Sequence, residues 1–144
     1  MTEQDGPPAQ PALLRHIAPV LAGGVLIAML TVVTGNWLNA HGWVPDAAQA
    51  GQSTGFLLFV LAYQALFAVI GSHMASRLAP AGQPRIRYAL AVGFLLSIVS
   101  IISALQTTSP FPTWYLLAGI VLPIPSAIVG GGTATRAMAQ GPTP

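Results

Sequence analysis

Residues 55–87 read GFLLFVLAYQALFAVIGSHMASRLAPAGQPRIR: no charge from 55 to 76, then Arg77, a turn holding Pro80, Gly82 and Pro84, and two more arginines, Arg85 and Arg87. A helix rises 1.5 Å per residue, so the uncharged part is long enough to cross a hydrocarbon core of about 30 Å. Proline cannot continue the helix, and the turn after Arg77 sends the chain back the way it came. A third apolar run follows at about 88–106. Similar runs lie on either side of this hairpin, at about 17–38 and 113–134. The pattern predicts an all-α, four-span transmembrane bundle.

The basic residues orient it. Arg15 precedes the first run, Arg77, Arg85 and Arg87 lie between the second and third, and Arg136 follows the fourth; there is no lysine. All five therefore fall on one side of a fourfold zigzag. Basic residues near span ends are retained in the cytoplasm, which predicts both termini inside. Trp37, Trp43 and Trp114, with Tyr115, fall at the opposite ends of the runs, at the depth where an amphipathic ring meets both its preferred media. Tyr88 marks the arginine side.

Composition agrees. Of 144 residues 53% are hydrophobic and only 6% charged, against about 25% charged in soluble domains, and the mean hydropathy is +0.68. The basic pI of about 9.7 rests on five arginines against three acids, spread over three membrane-flanking segments, so no nucleic-acid face is expected. Without cysteine there is no disulfide, thiolate metal site or cysteine nucleophile. Residues 1–13, with Pro7, Pro8 and Pro11, read as a disordered cytoplasmic tail, 14–138 as the transmembrane domain and 139–144 as a flexible tail. The first run exceeds the 7–15 residues of a signal-peptide core, so a retained helix is expected, with Pro19 in its first turn.

Lipid gives no hydrophobic drive between helices, so small residues mark the faces that pack. Each run offers such a stripe: Gly24, Ala28, Thr31, Gly35; Gln64, Ala68, Gly71, Ala75; Gly93, Ser97, Ser100, Ala104; Gly119, Pro123, Ser126, Gly130. The 4-3-4 spacing keeps a seam turned toward a neighbour.

The most distinctive polar residue within a run is Gln64, beside Tyr63. At similar depth in the fourth run, Pro123 and Pro125 cannot donate to the carbonyls of Gly119 and Val121. The expected pairing is the Gln64 amide on one of those carbonyls, as a structural clamp. The sharper alternative is a midplane site for a neutral or weakly polar solute formed by Tyr63, Gln64, Pro123 and Pro125, since broken helices line transporter sites. His73 is the candidate titrating group, although a helix-end histidine is more often an interfacial packing residue. His16 and His41 are too scattered to form a metal site with it. No run contains Asp, Glu, Lys or Arg, which argues against a proton-coupled exporter, and no hydrolase, metalloprotease or phosphate-loop motif is present. No cofactor is called for, and Gly130-Gly131-Gly132 suits helix packing or an end cap.

The pieces Ala62-Tyr63-Gln64, Gly71 through Pro80, Trp114-Tyr115 and Pro125-Ser126-Ala127 leading to Gly130-Gly131 resemble a group of small four-helix bacterial integral membrane proteins. In that group Arg commonly stands at the position of Gln64, and Gly-Tyr at that of Ser72-His73. The resemblance implies a bacterial cytoplasmic membrane and carries no activity with it. The expected role is non-enzymatic: structural, accessory or partner-binding, among membrane lipids and with a second copy or another membrane protein as partner. A small transporter or channel is the alternative.

Overall fold

The computed structural model describes residues 12–46, 49, 51–106 and 111–139; of the tails expected at 1–13 and 139–144, residues 1–11 and 140–144 lie outside the described residues. The described chain is all-helical. It forms α1 (Ala12–Ala40), α2 (Thr54–Arg77), α3 (Ile86–Gln106), α4 (Thr113–Val121) and α5 (Pro123–Ala139). Four segments are long and apolar enough to cross a membrane: Leu13–Ala40, Thr54–Arg77, Ile86–Leu105 and Thr113–Ala137, the last formed by α4 and α5 together.

Three features differ from the sequence reading. α1 begins at Ala12, inside the segment assigned to the tail, because Leu13, Leu14 and Ile17 extend its apolar surface backwards. Pro19 consequently lies two turns into the helix, where it is buried and removes the hydrogen bond to the Arg15 carbonyl. α5 runs on to Ala139, so Arg136 sits in its last turns rather than beyond it. The Pro123-Ile124-Pro125 segment does not break the fourth span open. Leu122 keeps a right-handed helical backbone (φ −59°, ψ −34°), its N–H reaches the Ala118 carbonyl at 2.9 Å, and the Ser126 N–H reaches the Leu122 carbonyl at 3.3 Å. Each proline therefore costs one donor and leaves the helical path intact, consistent with Pro123 standing first in α5.

Local signals close the other ends. α1 stops where Gly42 turns to φ +69°, with the Trp43 N–H returned to the Leu38 carbonyl at 2.9 Å. The Ser53 hydroxyl caps α2 by accepting from the Phe56 N–H at 3.4 Å. Gly82, at φ +81°, makes the turn between Pro80 and Pro84, and the Ser76 hydroxyl donates to the Arg85 carbonyl at 3.2 Å across that turn.

The packing is sorted by size. The buried positions are mostly small: Ala68, Ala75, Ala89, Ala127, Ala134, Ser72 and Ser76, with Leu57 and Val92 the largest that are fully enclosed. Large apolar side chains such as Leu58, Leu66, Phe94, Ile98, Leu117 and Ile128 point outward on every span. A water-soluble bundle has the reverse arrangement.

The two ends of the bundle differ. At the arginine end the helices meet backbone to backbone. A methyl group added to Gly23 would come within 2.6 Å of the Gly71 carbonyl, one on Gly93 within 2.8 Å of the Ala127 methyl, and one on Gly130 would strike the Val69 carbonyl. α5 makes its most extensive contact with α2 here, and α2 and α3 each touch both α1 and α5. Toward the tryptophan end the helices separate, and α4 touches α2 only slightly.

Candidate functional site

The space left by that separation is a cavity of about 670 Å³ lined by α1, α2, α3 and the α4–α5 junction. Its size falls within the usual range of small-molecule sites, about 300–1,000 Å³. The four small-residue stripes account for it. In the arginine half they close on one another through Ala68, Gly71, Ala75, Gly93, Ser126 and Gly130, which are all buried. In the other half the same stripes turn their next members, Ala28 and Thr31, Gln64, Ser100, and Gly119 with Pro123, onto the cavity wall. One assignment shifts by a residue. The close-packed residues of α1 are Gly23 and Ile27 rather than Gly24 and Ala28, and Gly35 has nothing within 4 Å of an added methyl group. α1 has only to approach Gly71 there, and Gly23 is the residue aimed at it.

Of the four residues expected at this level, Gln64 and Pro123 both line the cavity. Tyr63 and Pro125 do not line it. Tyr63 packs edge-on against Phe59 and at a tilt against Phe67, at ring-centroid distances of 5.6 and 5.5 Å, and Pro125 is exposed. The Gln64 amide makes no hydrogen bond to a described residue, so the expected clamp onto the Gly119 or Val121 carbonyl is not formed. The bond that ties the fourth span to its neighbour here comes instead from α3: the Ser97 hydroxyl donates to the Ile120 carbonyl at 2.8 Å. The sequence presents Ser97 only as one more small residue, and nothing in its spacing marks which serine is a donor.

Two of the three histidines, His16 and His73, serve the arginine end. His73 is half-buried, with Nδ1 3.1 Å from the Thr133 hydroxyl, which itself donates to the Gly130 carbonyl at 2.9 Å; α2 is tied to α5 there. His16 Nδ1 lies 2.6 Å from the Tyr88 hydroxyl and joins α1 to α3. His41 caps the other end of α1, with Nδ1 2.8 Å from the Trp37 carbonyl and its ring stacked on Trp37. Arg15 lines a second, smaller cleft with Pro19, Leu78 and Pro80. Among the described residues no three His, Cys, Asp or Glu side chains gather as a metal site would need.

Two serines allow the hydrogen-bond geometry to be checked. Ser72 is fully enclosed and its hydroxyl has no partner, whereas Ser97 donates across helices. Ser97→Ala should lower thermal stability in detergent by about 0.5–1 kcal/mol, the usual value of an interhelical bond in a bilayer. Ser72→Ala should leave it equal or raise it by up to about 1 kcal/mol, because it removes an unpaired polar group. Paired melting curves decide the matter, and a larger loss in Ser72→Ala would contradict the assignment.

The class these features define is a helical, multi-pass membrane protein with a closed half and a hollow half. Compared with family models, curated proteins and solved structures, the chain matches none.

Proposed function

We propose that this is a small non-enzymatic protein of a bacterial cytoplasmic membrane, with both termini inside, that holds a weakly polar small molecule in the tryptophan half of its bundle. The observation that carries the reading is the cavity at Gln64: an apolar chamber of ligand size with one uncommitted amide in its wall. An uncommitted amide in such surroundings costs free energy unless a partner arrives. A holding role is favoured over a channel because the glycine contacts of the arginine half leave no room for a continuous path. An accessory role follows: the protein presents or stores the molecule, alone or beside another membrane protein. The location and orientation rest on the five arginines and on the resemblance to small bacterial membrane proteins.

Native mass spectrometry after extraction in mild detergent tests this reading. The expected spectrum carries a bound small-molecule mass that is lost or strongly reduced in Ser100→Phe, which puts a ring into the chamber, and weakens in Gln64→Leu. Both variants should melt within about 1 kcal/mol of the parent, since Gln64 gives up no hydrogen bond and Ser100 borders free space. A parent that never carries an adduct, in native membranes or after extraction, would refute the holding role.

A further inference from the structure

The chamber is bordered on one side by residues that also face outward. Val25 and Val32 of α1 are 56% and 59% exposed, and Leu95 and Val99 of α3 are 37% and 51% exposed, yet all four line the cavity. α1 and α3 are held together at the arginine end by His16 and Tyr88, and they approach again where an added methyl on Gly24 would sit 3.6 Å from Leu95. Along their length α1 touches α3 much less than it touches α2. The resulting gap faces sideways, at a depth where both helices are surrounded by hydrocarbon if the spans cross a bilayer.

We infer that the ligand is a membrane-dissolved amphiphile, an apolar chain carrying one uncharged hydrogen-bonding head such as a hydroxyl or carbonyl, and that it enters from the lipid between α1 and α3. This inference rests on the holding role proposed above and adds the ligand class and the route. The chain side follows from the wall, which is built of Leu21, Val25, Ile27, Leu96 and Val99 along most of its length. The head side follows from Gln64, which can donate and accept at once, and from Gly119, which also lines the chamber and whose carbonyl Pro123 deprives of its helical donor. One hydroxyl can donate to that carbonyl or to the amide oxygen and accept from the amide N–H. A charged head is disfavoured, because no Asp, Glu, Lys or Arg lines the chamber to neutralise it. Lateral entry also keeps the apolar chain in hydrocarbon throughout, so binding requires no passage through water.

The test uses the full chain in phosphatidylethanolamine/phosphatidylglycerol vesicles and two photoactivatable probes, a diazirine-bearing hexadecanol and a water-soluble diazirine-bearing propanediol, with labelled peptides mapped by mass spectrometry. The hexadecanol probe should label the segments around Ala28, Gln64 and Ser100 above the lipid-facing background. That excess should fall about tenfold in Gln64→Leu, the loss expected for one hydrogen-bonded head group. Val25→Trp and Val99→Trp should also suppress it; both alter exposed positions outside the helix contacts, and circular dichroism of each confirms that the bundle is intact. Chamber labelling by propanediol alone would overturn the lateral route and ligand class while leaving the holding role in place. Labelling by neither probe would overturn both. Hexadecanol labelling spread evenly over all outward faces, and indifferent to Gln64→Leu, would overturn the inference by reducing the gap to ordinary lipid-facing surface.

Discussion

Gly130→Leu prevents the arginine half of the bundle from closing, and even Gly130→Ala lowers stability by about 1–3 kcal/mol, the usual range for an overpacked site. The first methyl group already meets main chain, the Val69 carbonyl and the His73 nitrogen, with the Ser72 Cβ at 3.0 Å. Main chain within a helix cannot swing aside as the end of a side chain can, so α2 and α5 must move apart. That motion also pulls His73 from Thr133 and opens the contact on which the fold relies most. Gly131→Ala behaves similarly, since its methyl would lie 2.8 Å from the Ala89 methyl and 2.8 Å from Ile86 Cδ1, although the isoleucine end can yield and the loss is smaller. Gly132 has nothing within 4 Å, and Gly132→Ala leaves stability unchanged or raises it by up to about 1 kcal/mol through better helix propensity. Three adjacent glycines thus give three different melting temperatures in one detergent, and equal losses at 130 and 132 would refute the packing described.

Moving the arginines reverses the protein in the membrane. With Arg77, Arg85 and Arg87 changed to Gln, only Arg15 and Arg136 remain at that end. Introducing Val44→Arg, Gln49→Arg and Gln52→Arg in the connection between α1 and α2 then places the larger number on the other side. The positive-inside preference predicts that most molecules now insert with both termini outside. A reporter active only in the periplasm, fused after Pro144, should be silent on the parent and active on the six-fold variant. Activity on the parent would refute the proposed orientation outright. The variant also separates topology from packing, because none of the six side chains is buried.

Span number and type were legible from charge and hydropathy alone, since a run such as 55–76 has one stable fate once it is both apolar and long. The small-residue stripes gave the inward faces of α2, α3 and the fourth span, because only small residues let backbones approach. They did not reveal where the seam closes and where it opens. That depends on the relative tilt of the helices, which the periodicity of one helix does not encode. Gln64 stands out as a polar residue in an apolar run, yet the sequence does not place its partner: two carbonyls freed by proline invite a donor, and which helix passes close to them is set by tertiary packing. Ser97 took the neighbouring Ile120 carbonyl because α3 passes nearer to it than α2 does. Tyr63, next to Gln64 in sequence, faces away simply because successive residues on a helix are about 100° apart.

The sorting of side chains by size also governs how this sequence can drift. At Ala75, Ala89, Ala127 and Ala134, none of which has any exposed surface, a single added methylene has nowhere to go. At Leu58, Ile98, Leu117 or Val129, exchange among leucine, isoleucine, valine and phenylalanine changes little that the helices touch. Descendants of this gene should therefore look unalike in their bulky letters and alike in their slight ones, so kinship would be traced better through a register of glycine, alanine and serine than through overall identity.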